Sequence, residues 1–258
     1  RSIFHLILNY RKFLGNKIMK KKFKDMIFVK GGKYIPCFTD NEKEVYDLEV
    51  CRYLTTQKMW LEVMENNPSK FKGIYKPVDT VTWWQALEFC NKLSEKYNLK
   101  PVYDLSKKRM LMINQLGEEK ASPDIADFKK TEGFRLPTEI EWEWFARGGQ
   151  IAIDEGTFNY KYSGSNNADE VAWYDKNSNG ESQDVGSKNP NQLGLFDCSG
   201  NVWEWCFNKN ESTKKNNYRR IKGGSWFSEA SWCSISPRFY YNSIYSCSDI
   251  GFRIVRTI

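Results

Sequence analysis

Apolar and polar positions along the chain fall into two helical periods and several short alternating runs. "DMIFVKGGKYIP" (25–36) alternates into a strand and turns at Gly31-Gly32, which predicts a first hairpin. "TTQKMWLEVMENNPSKF" (55–71) predicts a helix capped at Thr55 or Thr56 and ended by Asn66-Asn67-Pro68, since the residue before proline resists helix. "VTWWQALEFCNKLSEKYN" (81–98) carries the clearest helical period. Thr82 and Gln85 make a capping box, and Trp83, Leu87, Cys90 and Leu93, flanked by Ala86 and Phe89, form its buried stripe. From Asp104 to Gly133 the pattern weakens into a polar insertion with local turns. "FRLPTEIEWEWFARGG" (134–149) predicts a second main helix, boxed by Thr138 and Glu141 and stopped near Gly148.

After Gly149 the helical period is lost and Gly, Asn, Asp and Ser dominate. "NVWEW" (201–205) alternates, with Val202 and Glu204 on one face and Trp203 and Trp205 on the other. "YRRIKGGSW" and "GFRIVR" read as late strands. The expected architecture is α+β: two main helices against a small antiparallel sheet, with long ordered loops.

Composition narrows the chemistry. The 258 residues are 40% hydrophobic and 28% charged, which fits a folded, soluble chain of one large domain or two small ones. The formal charge of +7 lies partly in the Lys-rich start and partly in Lys214, Lys215, Arg219 and Arg220. These charges are scattered among acids, so a solvated surface is expected and nucleic acid is not. The only histidine is His5, which removes Ser-His-Asp, Cys-His and His-based metal chemistry from the folded body. Seven cysteines, an odd number with no CxxC pair, argue against a disulfide framework and a zinc finger. Glu139 and Glu143 share a helix face; paired carboxylates suit acid–base work, but first-turn acids that complement the helix dipole are the plainer account.

The stretch before Met19 has an apolar run, Ile3 to Leu8, too short to cross a bilayer. It reads as a processed remnant, an added leader or a docking helix. Oxygen-bearing side chains are plentiful in the late loops: Asn166, Asn167, Asp169, Asp175, Asn177, Asn201 and Glu204. Hard oxygens suit Ca²⁺, yet no EF-hand spacing is present, and turn formation by Asn and Asp is the ordinary explanation.

The ordered motifs "MIFVKGGKY", "NNPSKFKG", "PVDTVTWWQALEFCNKLSEKY", "FRLPTEIEWEWFARGG", "AWYDKNSNGESQDVGSKNPNQLGLFDCSGNVWEW", "KGGSW" and "GFRIVR" resemble the formylglycine-generating-enzyme (sulfatase-modifying factor) family. The resemblance runs from about Met26 to Arg256. It implies an elaborated C-type-lectin-like fold over residues 26–258, preceded by an N-terminal extension, 1–25. The family's enzymes hold copper between two cysteines just after the GGS motif. Here Ser228 matches the first and Cys233 the second, so the two-thiolate site is broken and no catalytic residue is expected. No cofactor is required on this reading. The family's calcium loops resemble "NNADEV" and "SGNVWEW", which implies Asn167, Asn201 and Glu204 as candidate ligands of a structural Ca²⁺.

The tail raises a further resemblance. Between Phe227 and Asp249 there is no Lys, Gln or Met. A non-enzymatic branch of the fold serves as the variable proteins of diversity-generating retroelements, and the arrangement closely resembles a Treponema-type member. In that branch a reverse transcriptase randomises template adenines, and asparagine codons are the main targets. Such codons can become Tyr, Ser, Phe, Ile, Cys, Asp, Pro, Ala or Arg, but never Lys, Glu, Gln, Met or Trp. Only Glu229 and Trp232 in the tail fall outside that set. The resemblance thus implies a variable region over about 223–256. Its expected ligand surface is Phe227, Ser228, Ser231, Ser234, Ile235, Pro237, Phe239, Tyr240, Tyr241, Asn242, Ile244, Tyr245, Cys247 and Ser248. Gly223, Gly224, Trp226, Arg238, Gly251 and Phe252 would be the fixed frame. Tyr, Ser and Asn are also what antibody loops use, but a loop crossing a Trp-rich core could use the same rings for packing.

On this reading the chain is a receptor-type monomer at the cell surface that binds a variable ligand, a protein or other surface molecule. Its membrane link is an anchor not present in this chain. Two other readings stay open: an invariant accessory protein of the same fold, and a copper-dependent formylglycine-generating oxidase.

Overall fold

The computed structural model describes residues 23–105, 128–209 and 217–258. All but the last three residues of the N-terminal extension, and most of the 104–133 insertion, lie outside the described residues. Nine strands and five α-helices are described. The strands are β1 (Met26–Val29), β2 (Gly32–Tyr34), β3 (Lys43–Val45), β4 (Leu48–Cys51), β5 (Trp203–Lys209), β6 (Tyr218–Lys222), β7 (Phe239–Asn242), β8 (Ile250–Gly251) and β9 (Val255–Thr257). The helices are α1 (Gln57–Leu61), α2 (Trp83–Lys96), α3 (Glu139–Ala146), α4 (Gly149–Asp154) and α5 (Ala168–Val171). Three small sheets result, in the orders β1-β4-β9, β2-β3 and β7-β6-β5-β8. All pairings are antiparallel except β5 with β8. This is the α+β, lectin-like architecture the sequence implied, with long loops between short elements.

Both capping boxes form. Thr82 and Thr138 accept the backbone N–H groups of Gln85 and Glu141, and each third-position side chain reaches back. The α2 stripe is buried as expected, and Trp84 joins it. Trp60 stacks on Phe89 with centroids 5.5 Å apart, and both meet Phe252 edge-on. The buried indoles find acceptors: Trp83 Nε1 donates to Cys206 O and Trp205 Nε1 to Val81 O, each at 3.0 Å.

Every residue of α3 is buried, including its three glutamates. Each carboxylate has its own arginine. Glu139 is held by Arg238 at 2.6 and 2.8 Å, Glu141 by Arg135 in a bidentate pair at 2.8 Å, and Glu143 by Arg147 at 2.9 Å. Glu139 and Glu143 do share a face, but they serve as anchors and are not a free carboxylate pair.

Two expectations are corrected. The Gly31-Gly32 turn does not make a hairpin: β1 pairs with β4, and β2 with β3. Gly31 is needed for contact, since a Cβ there would sit 2.3 Å from Val45 O. The first helix is also shorter than predicted, ending at Leu61. The Trp60 indole takes Asn66 O at 2.6 Å and Gln57 Oε1 accepts from Asn67, so the chain folds back on itself.

"GFRIVR" splits across two sheets, β8 and β9, and its arginine joins them to the rest. Arg253 is fully buried. It pairs with the buried Glu204 at 3.1 Å through Nε and Nη2, and donates to Cys51 O, Arg52 O and Phe196 O at 2.7–3.0 Å. Arg253→Met strands a buried carboxylate and removes a donor from three carbonyls, of which Arg52 O keeps the Phe196 N–H, and we expect a loss of about 3–5 kcal/mol in urea unfolding.

A pH dependence follows from α3. Burial pushes the Glu141 carboxyl up, but the charge and hydrogen bonds of Arg135 outweigh it and hold the group below the usual 4.5. The stability from this pair is therefore complete above that value and lost as pH falls through the lower folded value. The advantage of wild type over Glu141→Gln, followed by urea midpoints, should shrink on that acid limb.

Candidate functional site

The C-terminal segment follows β6 and supplies the outer strands of the four-stranded sheet, β7 and β8, and the frame grips it chiefly by its main chain. Gly223 and Gly224 have φ of +94° and +75°, and a Cβ on Gly224 would lie 2.6 Å from Cys233 Sγ. Only glycine fits there. The Lys222 ammonium, fully buried beside the Trp142 ring, donates to Ile235 O at 2.8 Å and Pro237 O at 2.9 Å, with Ser236 O at 3.5 Å. Trp226 Nε1 donates to Ser248 O at 3.0 Å and so closes the segment on itself. Asp175 N–H reaches Ser228 O, Thr80 N–H reaches Cys247 O, Trp203 N–H reaches Asp249 O, and Ile235 N–H reaches Lys161 O. Cys37 Sγ lies 3.5 Å from Ser236 O and 3.1 Å from the Glu143 carboxylate, so the loop between β2 and β3 also touches the segment. Arg238 is the side-chain anchor, clamped on Glu139.

With the main chain held, most of the expected surface faces outward. Phe227 is 72% exposed, and Ser231, Phe239, Ile244 and Tyr245 are exposed as well. Ser228, Pro237, Tyr240, Tyr241, Asn242, Cys247 and Ser248 are half-buried. Phe239 is the hub of a ring cluster, 5.4–6.2 Å from the rings of Tyr241, Tyr240, Trp232 and Trp203, and Tyr245 stacks on Tyr241 at 4.7 Å. Tyr218 from β6 adds an edge contact to Tyr240.

Two positions are corrected. Ile235 is buried in the cluster around Trp142 and Phe145, because its N–H and C=O are both tied inward, to Lys161 and Lys222. Ser234 is buried too, and its hydroxyl closes the short turn on Ser231 O at 2.7 Å. Ser228 is half-exposed, but its hydroxyl accepts Ser225 N–H and lies 3.0 Å from Ser225 Oγ. The sequence reading missed Trp232, 43% exposed beside Phe239. Asparagine codons do not reach tryptophan, so Trp232 stood outside the expected surface. The turn over Ala230–Cys233, which sends Ser231 and Trp232 outward and Cys233 inward, is what exposes it.

Copper and calcium make different demands on the residues present. Cys233 is buried, and burial pushes its thiol up to about 12, so it stays protonated; Sγ points at Ser225 O at 3.8 Å. With Ser228 in place of a second thiol, the residues do not fit a two-sulfur copper site. The three calcium candidates have separate partners. Asn167 Oδ1 caps α5 through Asp169 N–H, Asn201 Oδ1 accepts Gln183 N–H, and both Glu204 oxygens are taken by Arg253. They do not fit as one ligand set. Among the described residues no group of three or more His, Cys, Asp or Glu converges.

The fold, the motif-bearing loops and the framed C-terminal segment define the class. The chain belongs to the sulfatase-modifying factor enzyme 1-like domain family, whose profile matches residues 15–258. Within that class it is similar to chaperone protein LppX of Paenibacillus barcinonensis, 36% identical over 255 residues, covering 90% of this chain and 89% of the relative. It superposes on the solved Treponema denticola variable protein 1 with a TM-score of 0.73 at 30% identity, covering 90% of this chain and 95% of that one. A formylglycine-generating enzyme of Mycobacterium tuberculosis matches more narrowly: 33% identity over 102 residues, 33% of this chain and 30% of the enzyme.

The frame makes a contrast that stability measurements can check. Ile235→Ser should cost about 2–4 kcal/mol, because it removes a packed side chain and buries a hydroxyl. Tyr245→Ser, on the exposed side, should stay within about 1 kcal/mol.

Proposed function

We propose that this chain is a non-enzymatic binding protein of the cell surface. Its segment from Phe227 to Asp249 is rewritten between gene copies by a retroelement, and the exposed rings and hydroxyls take a variable ligand, a protein or other surface molecule. One observation carries the reading: the frame holds the segment mostly through main-chain atoms, so outward side chains can change without loosening it. The likeness to Treponema denticola variable protein 1 supports it, as does the serine at the first copper position.

A second reading rests on the long match to a protein named a chaperone. In that case the same surface is invariant and steadies one fixed partner. Deep sequencing of the gene's 3′ end, with its flanking DNA, separates the two. Variation confined to codons 227–249, at positions that are adenine in a nearby template, establishes the variable surface. One tail in every read and no template copy leaves the fixed partner.

The oxidase reading has its own check. Titration of the purified protein with Cu(I) should give no stoichiometric complex. A one-to-one complex that disappears in Cys233→Ser would restore that reading.

A further inference from the structure

A surface whose side chains change between copies has one recognition element that does not change, its own backbone. Among the described residues β7 is one of the two outer strands of the four-stranded sheet. Its four residues pair in unbroken register with β6, from Phe239 opposite Ile221 to Asn242 opposite Tyr218. In an antiparallel ladder, alternate residues turn both N–H and C=O to the same side. Ser243 N–H bonds Asn217 O at 2.6 Å, which turns Tyr241 and Phe239 toward β6. The rest of the sheet agrees. Trp203 N–H goes to Asp249 O and Phe207 N–H to Pro137 O, so those residues face away from β6, and Glu204 faces Lys222. The N–H and C=O of Tyr240 and the N–H of Asn242 therefore point outward. No hydrogen bond within the described chain satisfies them, and Asn242 O is already taken by Tyr245 N–H.

Proteins usually guard such an edge with lysine, proline, a bulge or a covering loop. Between Phe239 and Asn242 there is no charge, no proline and no bulge. Rings flank the edge: Tyr218 beside Tyr240, and Tyr241 stacked on Tyr245 beside Phe239.

We propose that β7 takes an extended polypeptide segment of a partner protein as a fifth strand. The inference rests on the binding-protein reading and names the class of its ligand. The outward groups form a donor–acceptor row with the two-residue repeat of a peptide backbone, a spacing a glycan does not reproduce. Main-chain bonds supply affinity that survives rewriting of the side chains. The variable rings then choose among peptide sequences through alternate pockets.

The test uses the whole protein and a phage-displayed library of linear peptides, with a glycan array in parallel. Selected peptides should bind wild type and lose at least about tenfold affinity for Tyr240→Pro, which removes the outward N–H without touching the β6 ladder. Tyr240→Ala, which keeps that N–H, should lose less. A second measurement leaves the protein unaltered: N-methylation along a selected peptide should weaken binding at alternate positions only. The proposal is overturned if Tyr240→Pro and N-methylated peptides bind undiminished. It is also overturned if glycans bind and peptides do not, an outcome that leaves the variable-surface reading standing. Dimerisation of wild type that Tyr240→Pro abolishes would assign the edge to a second copy and overturn it as well. An invariant tail in the sequencing above removes the variable-surface reading and leaves the test of the strand edge to the Tyr240 variants.

Discussion

One buried cation organises this domain. The Arg253 guanidinium is fully buried and is paired with the Glu204 carboxylate. Its other donors go to the carbonyls of Cys51 and Arg52 at the end of β4 and of Phe196 in the loop before β5. Bringing such a charge inside is costly unless every donor is matched. The loops must therefore arrive in register together, or the arginine cannot be buried. That requirement substitutes for regular secondary structure, which is sparse here. It fixes the start of β5, the approach to β9 and the end of β4 in one place. The surface segment is built outward from β5 and so inherits this order.

Lysine 222 repeats the device at the surface layer. A mobile ammonium on a flexible stem becomes a fixed point when carbonyls surround it and an indole lies beneath. Its contacts are indifferent to the identity of residues 235–237, because every residue has a carbonyl. Arginine 238 works in the opposite sense, since its grip on Glu139 needs that one side chain. The segment thus combines replaceable positions with a few that are not.

The two main helices were legible because their signals are local, whereas the short α4 and α5 fall where no helical period was read. Thr82 with Gln85, and Thr138 with Glu141, announce caps within four residues, and a stripe such as Trp83, Leu87 and Cys90 repeats at a fixed interval. Most of the rings that the composition of the tail singled out are exposed or half-buried. What was not legible depends on partners distant in sequence. Gly31-Gly32 reads as a turn until Val45 is seen against it. Ile235 looks like any other residue an asparagine codon can reach, yet Lys161 and Lys222 hold it inward. Glu204 has the composition of a calcium ligand, and only the fold shows that Arg253, far along the chain, has both its oxygens.

The sheet β1-β4-β9 has a mechanical consequence. β1 and β9 both run antiparallel to β4 and hence parallel to each other, with Met26 beside Cys51 and Thr257 beside Leu48. A pull on the chain before β1 and after β9 draws these strands in opposite directions along their length. Such a load shears the ladder, so its hydrogen bonds resist together and do not peel one at a time. Force passes from β1 through β4 to β9 and bypasses the long excursion between them. The surface segment lies off that path, so a tethered domain under tension would keep its outer face at rest.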